Sequence, residues 1–299
     1  MASGFRVRVL GAEDLPALAE FLLLHPDSSM HMLANLNNGG IVCTGEAHQA
    51  HYIGLFERSR LKGVLALGTN DMVQVQCPDS DHLIELVRCW HEWFEGGAMG
   101  LVGPRAQIEQ LTSLLGGESL PFRLNNTEQM YSLDCAQVIM PERMVGEVRW
   151  SKPDDLEKLY GWRTACLNEI MGLPLTPDLV EQVRADVDGE TAARHLAVLL
   201  EGDQLVACAQ IAHEQDGHIK QGLVYIPPER RRQGLAKQML AGLARISAER
   251  GVKRTVLFTT RRHVAMNNAA LAVGYKPYGD FGIILFNEPV KPKLLKAAV

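Results

Sequence analysis

Val224-Tyr-Ile-Pro-Pro-Glu-Arg-Arg-Arg-Gln-Gly-Leu-Ala236 is the stretch on which the fold turns. Gly222 to Ile226 is short, apolar and partly β-branched, the pattern of a half-buried strand. Pro227 and Pro228 end it, because proline lacks the N–H that a sheet ladder needs and pushes the residue before it away from helix. Beyond the turn, Leu235, Met239, Leu243 and Ile246 recur at helical spacing until Gly251, which predicts an amphipathic helix over 237–250. Arg231 to Ala236 therefore occupy a helix N-terminus, where the first backbone N–H groups lack partners and the helix dipole is positive. A phosphate fits such a place. Gly234 and Ala236 remove bulk where a pyrophosphate would approach the backbone, and the neighbouring arginines add favourable charge. A basic triplet such as Arg230-Arg231-Arg232 is by itself most often a solvated face or a nucleic-acid patch. Here it lies between a proline-terminated strand and a helix start, in a chain that is acidic overall.

The pattern Pro228-Glu229-x-Arg231-x-x-Gly234-x-Ala236 resembles the Arg/Gln-x-x-Gly-x-Gly/Ala signature of the GNAT superfamily of acyl-CoA-dependent N-acyltransferases. The succession that follows it is also similar to that family: a strand from Arg254 to Thr259, a small helical stretch, the turn Val273-Gly274-Tyr275-Lys276-Pro277, and a last apolar strand from Gly282 to Phe286.

Upstream, the second half opens with a strand at Val148–Trp150. A helix runs through Leu156, Leu159, Trp162, Cys166 and Ile170, and another spans 179–187. Strands at 195–200 and 205–212 then lead to the signature strand. The first half has the same rhythm. A strand spans 5–10, helices 14–25 and 28–35, and a strand meander 52–57, 61–67 and 72–76. A helix at 82–94, a strand at 100–103, a helix at 106–115 and a strand near 129–133 follow. Where a phosphate turn would follow the meander, the chain has Cys77-Pro78-Asp79-Ser80-Asp81, acidic and without glycine. The stretches His25-Pro26-Asp27-Ser28-Ser29-Met30 and Trp162 to Glu169 resemble bacterial predicted acetyltransferases with tandem GNAT-like halves. The resemblance implies an α/β (α+β) chain of two such domains, each a mixed, mostly antiparallel sheet flanked by helices. Residues 1–140 would be a degenerate domain without the cofactor signature. Residues 145–299 would bind acyl-CoA between splayed parallel strands.

It also implies the site. Main-chain groups of Val224, Tyr225 and Ile226 would pair with the pantetheine arm, and the turn Arg231, Arg232, Gln233, Gly234, Leu235, Ala236 and Lys237 would hold the pyrophosphate. His263 stands where the family often has an asparagine, eleven residues before Gly274, and Ala270 where it often has a tyrosine credited as general acid. Glu169 is the expected carboxylate base and Tyr278 the phenol nearest in sequence that could protonate a leaving thiolate. The implied reaction is transfer of an acetyl group from acetyl-CoA to a primary amine of a small molecule, amino acid or peptide, by direct attack in a ternary complex. The alternative is a catalytically weakened acyl-CoA-binding sensor or partner-binding protein.

Composition bounds the rest. With 299 residues, 46% hydrophobic and 22% charged, the chain reads as globular and long enough for two domains. A net charge of −5 argues against broad attachment to nucleic acid or an anionic membrane. No window reaches the roughly 18 apolar residues of a membrane span, and Met1–Arg8 does not read as a secretory signal, so a cytoplasmic protein is expected. The six cysteines are scattered, without a Cys-x-x-Cys pair, and read as small buried hydrophobes. His48 and His51, or His25 and His31, lack ligand partners at matching spacing, so no metal is expected.

Overall fold

Apolar strands that alternate between two buried faces, separated by helices with one apolar stripe, predict sheets covered on both sides. The computed structural model, which describes residues 5–172 and 174–292, has this arrangement in two units: residues 5–130 with 279–292, and residues 131–278.

In the first unit, β1 (Phe5–Val9), α1 (Leu15–Leu23), α2 (Pro26–Gly39), β2 (Ala50–Glu57), β3 (Arg60–Gly68) and β4 (Met72–Gln76) come first. Next are α3 (Ser80–Trp93), β5 (Ala98–Pro104) and α4 (Arg105–Leu115), then β6 (Phe122–Asp134), which enters the second unit at Tyr131. Strands β1 to β4 pair antiparallel in sequence order and β5 pairs parallel with β4. Leu65 of β3 faces the cluster of α3 and α4 with Leu86, Trp90 and Ile108. Val64 and Ala66 face the opposite cluster with Leu18, Phe21 and Leu33 of α1 and α2. This is the two-residue period of a strand buried on both sides.

The second unit repeats the order. It holds β7 (Val148–Trp150), α5 (Leu156–Met171), α6 (Pro177–Ala192), β8 (Leu196–Glu201), β9 (Gln204–Gln215), β10 (His218–Tyr225), α7 (Leu235–Ala248), β11 (Arg254–Thr260) and α8 (Val264–Ala272). Strands β7 to β10 are antiparallel neighbours and β11 is parallel to β10. A local device also recurs. Arg8 pairs with the buried Asp14, which accepts the Gly11 N–H. Arg149 pairs with the buried Asp155, which accepts the Lys152 N–H.

Three expectations need correction. The last strand, β12, runs from Lys276 to Val290 rather than from Gly282, and β6 starts at Phe122 rather than near Gln129. The units also do not follow a linear cut near 140–145. From Gly279 on, β12 pairs antiparallel with β5 and belongs to the first unit, while residues 131–134 of β6 lie beside β11 in the second. The physical reason is that each sheet has an open edge at its fifth strand, and the strand that completes it comes from the other half of the sequence. Among the described residues, no helix is long and apolar enough to cross a membrane.

Candidate functional site

In the second unit β10 and β11 pair only over His218–Lys220 and Arg254–Val256. Past that point β10 continues to Tyr225 and β11 to Thr260 without pairing, so their facing edges part. The prolines then stop β10, and the chain turns through Arg232 (φ +63°) and Gly234 (φ +76°), both left-handed, into α7. Among the described residues, no side chain caps this helix start. Its first N–H groups are free of a capping oxygen, the condition an anion needs.

A cavity of about 520 Å³ opens between the parted strand, the turn, the start of α8 and the end of α5. Of the residues expected to hold a cofactor, Val224, Tyr225, Ile226, Arg231, Arg232, Gly234, Leu235, Ala236, Lys237 and His263 line it. Gln233 does not; its side-chain amide donates to the Glu229 carbonyl at 3.4 Å. His263 is the residue before the first turn of α8.

Glu169 lines the cavity as well, but its carboxylate is engaged. Arg231 donates Nη1 and Nη2 to its two oxygens at 2.8 and 2.7 Å, while Nε of the same arginine donates to the Ile226 carbonyl at 2.9 Å. Hydrogen bonding from Arg231 holds the Glu169 carboxyl below its ordinary range, which makes it a weak base. Tyr278 lies on β12, is 39% exposed and is not among the cavity-lining residues. The phenol that does line the cavity is Tyr225, beside the Cys166 thiol. Burial pushes both up from their ordinary values, so both stay protonated at neutral pH.

Cys166, Ile170, Ala265, Met266, Asn268, Ala269 and Ala272 were not expected in the lining. Helical spacing carried the signal. Glu169 and Ile170 lie three and four residues beyond Cys166 on one helix face, and Ala265, Asn268, Ala269 and Ala272 follow the same rule on α8. Asn268 lines the cavity. Asn267 instead donates to the Thr260 and His263 carbonyls, both at 2.9 Å, and accepts from the Tyr131 hydroxyl at 2.7 Å. Ala270 is fully buried in the core and does not line the cavity.

The corresponding place in the first unit is built differently. β4 and β5 also pair over only three residues, Met72–Gln74 with Gly100–Val102. There the helix start is capped: Asp79 accepts from the N–H groups of Asp81 and His82 at 2.9 and 3.3 Å. In the gap beside β4, Ser28, Ser29, Met32 and Phe281 line a void of only about 10 Å³, and the cavity at the Asp79 helix start, about 790 Å³, opens instead between α1 and the β2–β3 turn.

Residues 156–275 match the model of the acetyltransferase (GNAT) family. No curated protein matches the sequence. Among solved structures, an acetyltransferase from the GNAT family of Colwellia psychrerythraea is similar over 94% of this chain and 100% of its own, with 14% identity and a TM-score of 0.60. A GCN5-related N-acetyltransferase from Sphaerobacter thermophilus is similar over 98% of each chain, with 15% identity and a TM-score of 0.60. A tandem GNAT protein from the clavulanic acid biosynthesis pathway is similar over 94% of this chain and 97% of its own, at 13% identity and a TM-score of 0.53.

Proposed function

We propose that this chain, whose residues 156–275 match the model of the acetyltransferase (GNAT) family, is an acetyl-CoA-dependent N-acetyltransferase acting on a primary amine of a small molecule, amino acid or peptide. The observation that carries the reading is the uncapped start of α7, opening into the cavity left where β10 parts from β11. The N–H groups of Gly234 to Lys237 would take the pyrophosphate and the free edge of β10 the pantetheine arm, with His263 at the side. Bound there, acetyl-CoA supplies the activated acyl group.

In the reaction a neutral amine attacks the thioester carbon, a C–N bond forms and the C–S bond breaks. The amine loses a proton and the departing thiolate gains one. Tyr225 is the proton source this reading favours over Tyr278, because its protonated phenol lines the cavity. Glu169 serves better as the partner that orients Arg231 than as the base, and water or the substrate's own free-base fraction would take the amine proton. The first unit, with its helix start capped by Asp79, would carry no second cofactor.

The test is titration calorimetry with acetyl-CoA on the full chain, followed by a thiol-release screen against pooled amines. Binding with amine-dependent release is expected; absence of binding overturns the reading. The engagement of Glu169 by Arg231 favours a second reading, an acyl-CoA-binding sensor. It would be preferred if acetyl-CoA binds and no amine accelerates thiol release above the buffer rate.

A further inference from the structure

Three side chains from three elements of the second unit form a hydrogen-bonded chain that ends on the backbone of β10. Arg163 of α5 donates Nη1 and Nη2 to the two carboxylate oxygens of Glu190 on α6, at 3.0 and 2.6 Å. Glu190 Oε1 also accepts from Nε2 of Gln210 on β9, at 2.5 Å. The other end of that amide, Oε1, accepts from the backbone N–H of Leu223 at 3.3 Å. The Arg163 and Glu190 side chains are only 10% and 15% exposed.

Leu223 lies where the register of β10 against β9 slips, between Gln221 and Val224. A Cβ at Gly222 would stand 2.5 Å from Gln210 Oε1, so glycine there is what admits the amide. The orientation of that amide follows from its partner. An ionised carboxylate only accepts hydrogen bonds, so Gln210 must turn its NH₂ toward Glu190, and its oxygen then faces the Leu223 N–H. The two-pronged pairing with Arg163 is the geometry of such an acceptor. Along an extended strand, successive peptide N–H groups point to opposite edges. The register slip breaks that alternation at Gly222 but not beyond Leu223, so fixing the Leu223 N–H on the β9 side turns that of Val224, which lines the cavity, to the other edge, where β11 has already parted.

We infer that the chain Arg163–Glu190–Gln210 is a positioning device that aims the Val224 backbone donor at the acyl carbonyl of a thioester lying along β10. The inference rests on the acyl-CoA reading above. It assigns to residues remote from the signature the orientation of the strand edge on which the acyl group would lie.

Calorimetry on the full-length protein tests it with two probes, acetyl-CoA and CoA, on the wild type, Gln210→Met and the exchange Glu190→Gln with Gln210→Glu. Thermal melts run beside them. Gln210→Met keeps the length and removes the amide, so affinity for acetyl-CoA should fall about tenfold, the worth of one such hydrogen bond, while affinity for CoA, which has no acyl carbonyl, changes by less than about twofold. In the exchange variant the carboxylate now at position 210 accepts both from the amide now at position 190 and from the Leu223 N–H, while the amide oxygen at 190 keeps one hydrogen bond from Arg163 in place of two, so a preference for acetyl-CoA above that of Gln210→Met should return. Equal loss for both probes would mean a merely structural role and overturn the inference, as would wild-type acetyl-CoA affinity in Gln210→Met. If Gln210→Met does not fold, the exchange variant decides alone: a retained preference for acetyl-CoA supports the device and its loss overturns it. A wild type that binds neither probe would overturn the acyl-CoA reading itself.

Discussion

Gly234 holds a φ of +76°, where a β-branched side chain is strained. An added Cβ would meet the flexible end of Lys237 at 3.2 Å, so the dihedral rather than the space is the obstacle. Gly234→Val is expected to cost about 1–3 kcal/mol of stability and, by displacing one phosphate donor, about tenfold in acetyl-CoA affinity. Calorimetry beside thermal melts checks both, and an unchanged dissociation constant would show that the turn does not hold the ligand. Tyr225→Phe should lower amine-dependent thiol release with little effect on acetyl-CoA affinity, the pattern of a group used only in the transition state. Loss of affinity instead would assign the phenol to packing against Trp162, whose ring lies 5.9 Å away. His213 makes a prediction in pH. Burial first, then Lys220 and His195, depress its folded pKa from 6.5 to about 4. Between those values the unfolded chain binds more protons than the folded one, so stability rises with pH and falls on acidification from 6.5 toward 4, by up to about 3 kcal/mol from this group. His213→Gln should flatten that part of the stability–pH curve measured by denaturant titration. An unaltered slope would mean that His213 is not its source. Of these residues, the sequence marked Gly234, because a glycine at a helix start has a local meaning, and Tyr225 for its main chain alone, whereas the burial of His213 is a property of the packed sheet.

At the scale of elements, α3 and α7 begin in the same place in their two sheets and differ in what satisfies the helix start. Asp79 does so in α3, and no described side chain does so in α7. Asp79→Ala should cost about 1 kcal/mol through the lost cap. It should still confer no acetyl-CoA binding on a protein whose turn is disabled by Gly234→Val, because Phe281 and the α2 side chains occupy the gap beside β4. Equilibrium unfolding and calorimetry on the double variant measure the two effects, and binding gained by the double variant would refute the account of the first unit. The absence of a glycine at 77–81 was legible in sequence. That the acid there is a cap, and that the gap is filled as well, was not, since Phe281 is distant in sequence from β4 and arrives on a strand expected to belong to the other half.

The whole molecule is divided differently from its sequence. Cutting near 140–145 would take residues 131–134 from beside β11 and the 279–290 stretch of β12 from beside β5. Neither fragment is therefore expected to show the cooperative melt of the full chain by circular dichroism, and fully cooperative melting of both would show that the exchanged strands are dispensable. Ligand tests belong on the intact protein for this reason. By itself the sequence determined the strand–turn–helix of the phosphate site, the repeated order of elements and the apolar faces, because each depends on short-range terms: the period of a strand or helix, the missing N–H of proline, the dihedral freedom of glycine. Only the tertiary structure decided that Arg231 holds Glu169, that Gln210 reaches the Leu223 backbone, that Tyr225 rather than Tyr278 lines the cavity, and which sheet the last strand completes. These pairings join residues far apart in the chain. They are set by which strand edges are left open and which side chains fill the space between layers, and such contacts leave no periodic trace in the sequence.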